Sequence, residues 1–75
     1  MVLYYLPTCP YCMKVLRFMS EEGISLELAD TNVPENRQKL IAVGGKNQVP
    51  CLFINGEPLY ESNDIIEYLR NNYAR

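Results

Sequence analysis

The feature that most constrains this sequence is a change of period between Leu6 and Pro10. Val2-Leu3-Tyr4-Tyr5-Leu6 is a short run of β-branched, aromatic and aliphatic residues ended by Pro7 and Thr8, which suits a strand buried on both faces. From Pro10 the apolar residues recur at helical spacing instead. Cys12, Val15, Leu16 and Met19 stand at i, i+3, i+4 and i+7, and Gly23 occupies a position where a helix end favours a left-handed residue. A strand that gives way so abruptly to a helix opens a βα unit.

The rest of the chain continues the pattern. Ile24, Leu26 and Leu28 alternate with Ser25, Glu27 and Ala29, the period-two mark of a half-buried strand that Asp30-Thr31-Asn32 closes. Thr31 or Asn32 is expected to cap a second helix, favoured by Pro34 and Glu35, striped by Leu40, Ile41 and Val43, and ended by Gly44-Gly45. Cys51 to Ile54 and Glu57 to Tyr60 flank Asn55-Gly56, the strongest short hairpin signal a sequence carries. The last segment has Ser62 as its expected N-cap, Asp64 in the first turn, and Ile65, Ile66, Leu69 and Tyr73 at helical spacing. The order βαβ followed by ββα predicts an α/β fold of thioredoxin-like type: a four-stranded mixed sheet flanked by three helices.

With 75 residues, 48% of them apolar, and no low-complexity stretch, a single domain over residues 1–75 is expected. A net charge of −2 and seven unclustered basic residues lack the electrostatic footprint of a nucleic-acid binder. The N-terminus has neither the basic flank nor the small-residue cleavage site of a secretory signal. No apolar run approaches the roughly 20 residues of a membrane helix. The reading is therefore a cytoplasmic monomer with no membrane partner. In that compartment cysteines are more often catalytic or metal-binding than structural, and an odd count of three agrees.

Cys9 and Cys12 carry the candidate chemistry. A cysteine at a helix start is helped to ionise by unpaired backbone N–H groups and the positive end of the helix dipole, and Cys9 holds that position. Cys12 lies about one turn further on, within reach of Cys9 but expected to be more buried, so the pair divides into an attacking and a resolving thiol. Pro10 suits the first helical position, where its missing N–H would have had no partner. A closed zinc site needs about four N/S ligands. The chain has no histidine and one other cysteine, so no metal is expected.

Three motifs resemble the glutaredoxin family over the whole chain: Cys9-Pro10-Tyr11-Cys12 after a strand, Gln48-Val49-Pro50 before the third strand, and Glu61-Ser62-Asn63-Asp64 at the last helix. The resemblance implies a glutathione-dependent thiol–disulfide oxidoreductase, with Cys9 as nucleophile and Cys12 as resolving thiol, and glutathione as co-substrate. Its substrates would be glutathionylated or disulfide-bonded proteins, and the glutathione reductase system would supply its reductant. It also implies a cis bond at Val49-Pro50, with the Val49 backbone free to pair with a peptide, and Tyr11 flanking bound glutathione. Sequence alone favours a trans bond. Ser62 reads by itself as a helix cap; the resemblance adds a γ-glutamyl carboxylate held at that helix start, with Glu61 or Asp64 receiving the ammonium.

Two departures stand out. Tyr60-Glu61 replaces the Gly-Gly of most glutaredoxins, and Glu61-Ser62 looks more like the glutathione pocket of glutathione transferases. Leu6-Pro7-Thr8 lacks the cation that often precedes the dithiol, for which Lys46, Arg37 or Lys14 could substitute. Cys51 reads as a small apolar residue or a secondary redox thiol. The alternatives are a redoxin reduced by thioredoxin reductase and a glutathione-ligated iron–sulfur carrier.

Overall fold

The computed structural model describes residues 1–73 as β1 (Val2–Tyr5), α1 (Pro10–Glu22), β2 (Glu27–Asp30), α2 (Pro34–Gly44), β3 (Cys51–Ile54), β4 (Glu57–Tyr60) and α3 (Ser62–Asn72). The strands lie in the order β2-β1-β3-β4, with β2 parallel to β1 and the β3–β4 hairpin antiparallel. This is the thioredoxin-like arrangement expected from the element order.

β1 sits inside the sheet, and its continuous apolar run follows from that place. Leu3 pairs with Leu28 and Leu52, and Tyr4 with Ala29 and Cys51, so alternate residues supply opposite faces. On one face Leu3 and Leu52 join Val15 and Met19 of α1 and Ile65, Ile66 and Leu69 of α3. On the other, Tyr4, Ala29, Cys51 and Phe53 pack with Leu40 of α2. The Tyr4 and Phe53 rings stand 4.7 Å apart at 45°. Each fully buried aliphatic side chain contributes about 1.5–3 kcal/mol. Two thin cores, one per face, therefore hold β1 and the corner that follows it.

Several expectations are corrected. The second strand is Glu27–Asp30; Ile24 and Leu26 pack onto the core ahead of it, whereas Leu28 is 47% exposed because β2 is an edge strand. Neither Thr31 nor Asn32 caps α2, whose N-cap is Val33. Thr31 instead donates its N–H and its hydroxyl to the Tyr5 carbonyl (2.9 and 3.0 Å), while the Asn36 side chain donates back to the Asp30 carbonyl (3.0 Å). Only Leu40 of the predicted stripe is buried, since α2 meets the sheet along one narrow line; Ile41 and Val43 are exposed. Tyr73 is the C-cap of α3, past its last turn, and is 47% exposed.

Gly44 closes α2 against β4. The Tyr60 hydroxyl donates to the Gly44 carbonyl at 2.8 Å, and a Cβ at Gly44 would stand 2.5 Å from that hydroxyl oxygen. Gly44→Ala gains helix propensity of up to about 1 kcal/mol but must expel the hydroxyl. The expected result is a net loss of about 1–2 kcal/mol in the wild type and a gain in a Tyr60→Phe background, read from denaturant midpoints. The same sign in both backgrounds would remove Tyr60 as the reason for this glycine.

Candidate dithiol site and adjoining cleft

Cys9 takes the N-cap position of α1 with extended backbone (φ −87°, ψ 121°), and Pro10 follows as the first helical residue. The Cys9 N–H donates to the Leu6 carbonyl (3.0 Å), and its own carbonyl accepts from the Met13 N–H (3.0 Å). Both thiols are free, Cys9 half-buried and Cys12 fully buried. The Leu6 N–H donates to Cys12 Sγ at 3.4 Å. Burial pushes the Cys12 thiol up to about 12; the Leu6 N–H pulls it back in part, while the neighbouring Cys9 pushes it further.

Tyr11, Val49, Pro50, Glu61, Ser62 and Asp64 all line one cavity of about 530 Å³. Tyr11 is 66% exposed and leans on the cavity from the start of α1. The Val49-Pro50 bond is cis. Val49 precedes β3, and its peptide groups lie outside the register of the β1 and β4 pairings. The opposite wall is the start of α3. There Glu61, not Ser62, stands at the N-cap, with a positive φ of 71° and no side-chain cap bond; Ser62 is the first helical residue and is buried. The expected Ser62 cap is absent because the chain turns at Glu61, which carries Ser62 inward. The first helical bond runs from the Ile65 N–H to the Glu61 carbonyl (3.0 Å), leaving the N–H groups of Ser62, Asn63 and Asp64 in an uncapped first turn. Glu61 is a left-handed non-glycine residue, an arrangement that costs on the order of 1 kcal/mol or more.

Three participants escape a reading by residue type. Gln48 lines the cavity and donates its side-chain N–H to the Glu61 carboxylate (3.3 Å); its place beside Val49-Pro50 was the available signal. Asn63 lines it too, and its side chain accepts from Lys14. The Leu6 N–H is a backbone group that composition cannot announce.

The cations weighed as partners for Cys9 have other positions. Lys46 lies 4.4 Å over the Tyr60 ring, Lys14 is tied to Asn63, and Arg37 lines a second cavity of about 340 Å³ with Leu6, Asn47 and Val49. Cys51 is a core residue of the α2 face, pushed up to about 11 by burial although the Leu59 backbone, the Tyr60 hydroxyl and Lys46 oppose the shift. Among the described residues no three Cys, Asp or Glu side chains converge as metal ligands would, and no helix is long and apolar enough to cross a membrane.

The fold and site define a thioredoxin-like domain with a dithiol at a helix start beside a polar cleft. The family profile described as glutathione S-transferase, N-terminal domain, matches residues 3–75. Glutathione S-transferase D7 of Anopheles gambiae is 36% identical over 77 residues, covering 99% of this chain and 35% of its own length. Glutaredoxin 3 of Escherichia coli K12 is 30% identical over 64 residues, covering 84% of this chain and 77% of its own length. In three dimensions, glutathione S-transferase 1-6 from Anopheles dirus species B matches with a TM-score of 0.81 at 30% identity, over 100% of this chain and 37% of its own. The chain belongs to the family of glutathione S-transferase N-terminal domains, with glutaredoxins among its relatives. It spans about a third of the transferases it matches. The likeness to glutaredoxins read from the motifs thus stands beside an equal likeness to transferases.

The buried thiols make stability depend on alkaline pH. In the unfolded chain Cys12 and Cys51 titrate near 9.0, and in the folded chain near 12 and 11. Above pH 9 the unfolded chain therefore releases protons that the folded chain keeps, so their contribution is intact below pH 9 and lost as pH climbs toward 11 and 12. Tyr4 and Tyr60, also raised by burial, act in the same direction. The thermal midpoint is expected to fall steadily above pH 9. Cys51→Ala, less stable at neutral pH, should lose less over the same interval; parallel curves would mean that Cys51 ionises as freely folded as unfolded.

Proposed function

We propose that this domain is a glutathione-dependent thiol–disulfide oxidoreductase acting on protein–glutathione mixed disulfides and on protein disulfides. The observation that carries the reading is the placing of two free thiols at the start of α1, half-buried Cys9 at the N-cap and buried Cys12 in the first turn, beside the cleft formed by Val49, Ser62 and Tyr11. Burial opposes the anionic form of Cys12, which leaves Cys9 as the thiol that attacks.

Cys9 sulfur attacks a disulfide sulfur, the old S–S bond breaks, and the departing thiolate takes up a proton. On a glutathionylated protein this leaves Cys9 bonded to glutathione, and a second glutathione thiolate releases it as glutathione disulfide. On a protein disulfide, Cys12 sulfur attacks Cys9 instead, freeing the reduced substrate and forming the Cys9–Cys12 disulfide, which two glutathione molecules reduce. The surroundings of Cys12 support this sequence. Once Cys9 is in a mixed disulfide, its charge no longer opposes ionisation of Cys12, while the Leu6 N–H still favours it.

Glutathione would lie across Val49. Its γ-glutamyl carboxylate meets the uncapped N–H groups of α3 and the Ser62 hydroxyl, and its ammonium meets Glu61, whose carboxylate Gln48 holds. The glycine carboxylate points toward Arg37, which shares its cavity with Val49. Conjugation of glutathione to an electrophile is the second reading, favoured by the transferase profile and the Anopheles relative. That chemistry requires one group to activate the glutathione thiol and gives Cys12 no task.

Turnover of a glutathionylated protein with glutathione, glutathione reductase and NADPH is expected for the wild type and expected to vanish in Cys9→Ser. Cys12→Ser should keep this activity and lose reduction of protein disulfides. Ser62→Ala should raise KM for glutathione about tenfold, the loss of one hydrogen bond to a charged group, with kcat little changed. Conjugation of a chlorodinitrobenzene without disulfide turnover would install the second reading, and turnover with thioredoxin reductase in place of glutathione would replace the reductant.

A further inference from the structure

A third cavity, of about 620 Å³, runs between α1 and α3. It begins at Pro10, the residue after Cys9, and the glutathione cleft lies beyond Asn63, which lines both. Met13, 38% exposed, and the partly buried Phe18 give it an apolar floor together with Ile66. The proposed chemistry assigns this groove nothing.

The charges along it are ordered. From Pro10 to Ser20, α1 carries Lys14 and Arg17 and no carboxylate; Glu21 and Glu22 then fill its last turn. This order opposes helix stability. Carboxylates favour the first turn of a helix and cations the last, and a cation four residues before a carboxylate, as Arg17 stands to Glu21, is the weaker orientation of that pair. α3 has the favourable order instead, Asp64 in its first turn and Arg70 in its last. Glu67 and Arg70 line the α3 wall, and Arg70 lies 5.3 Å from the centre of the Phe18 ring. Helix stability therefore does not account for this order, which makes the α1 wall of the groove positive beside the dithiol and negative about 10 Å further on, by the rise of two helical turns.

We infer that the α1–α3 groove receives a segment of the disulfide-bearing partner protein, with carboxylates next to the target cysteine, an apolar side chain over Met13 and Phe18, and a cation opposite Glu21. The inference rests on the dithiol reading for what the partner brings, and it adds the partner's sequence character. Charge order of this kind acts on encounter and orientation, so it is felt in kcat/KM and screened by salt.

The test uses the intact chain and two glutathionylated peptides of equal length, one with Asp and Glu beside the cysteine and one with Lys at those places. In the coupled assay the acidic peptide is expected to show a kcat/KM roughly three- to tenfold higher at low salt, with the difference largely gone at about 0.5 M salt. Arg17→Glu should abolish or reverse the preference while the small disulfide of cysteine with glutathione is turned over as before. Equal values for the two peptides at low salt, or a preference that survives in Arg17→Glu, would overturn the inference. The same peptides with Ser for Cys, titrated into the labelled protein, keep the test independent of catalysis. Shifts of α1 and α3 amides for the acidic peptide alone support the groove even if no disulfide is turned over, which would count against the dithiol reading only. Shifts elsewhere, or none, count against the groove.

Discussion

The structure depends on what the backbone of one residue does at the end of β1. The Leu6 carbonyl accepts from the Cys9 N–H, and the Leu6 N–H donates to the Cys12 sulfur. A residue just past the strand thus holds both the flank and the first turn of α1, so the helix starts at a fixed distance and angle from the sheet. Everything near the dithiol takes its position from this corner. Tyr4 pairs with Cys51, which brings Val49-Pro50 alongside Leu6, and the turn from β4 into α3 closes the cleft on the far side. Two cores of modest size suffice because both grip the same central strand.

The fold was legible because its signals were local and mutually consistent. The change of period at Pro7 to Pro10, Gly23 in the left-handed conformation and Asn55-Gly56 at positive φ each fix one junction. What escaped was set by tertiary placement. Leu28 has the period of a buried strand residue but lies on an edge strand, and Ile41 and Val43 lie off the one line, through Leu40, along which α2 meets the sheet. The helix starts were misread for a different reason. Ser, Thr and Asn have a high intrinsic preference for N-caps, but Thr31 is drawn into a buried bond with Tyr5, and Ser62 is carried inward by the left-handed turn at Glu61.

The site residues were legible to the extent that chemistry is tied to residue type. The sulfurs, the proline and the acidic turn are visible in sequence, and the six residues read as a glutathione pocket line a single cavity. The groups that tune the site are less visible, because they are backbone amides and amide side chains. The Leu6 N–H acts through where the chain passes, and Gln48 is marked only by its place beside Val49-Pro50.

Topology explains why these groups gather at one end of the sheet. β2 runs parallel to β1, and β4 does so too, being antiparallel to a strand that is itself antiparallel to β1. The helices that follow β1, β2 and β4 therefore all begin at the same edge, and none of the three is closed by a side-chain cap. A missing cap forgoes about 1 kcal/mol per helix. That cost is offset if the free N–H groups and the positive dipole ends meet anionic partners, as they would with the two carboxylates of a glutathione lying across Val49 and the sulfurs exchanged beside it. Side-chain caps would stabilise the domain by itself and occupy the donors that the proposed glutathione would use. The stability withheld at the helix starts and the binding proposed for the cleft are thus two sides of one arrangement, imposed by strand direction before any side chain is chosen.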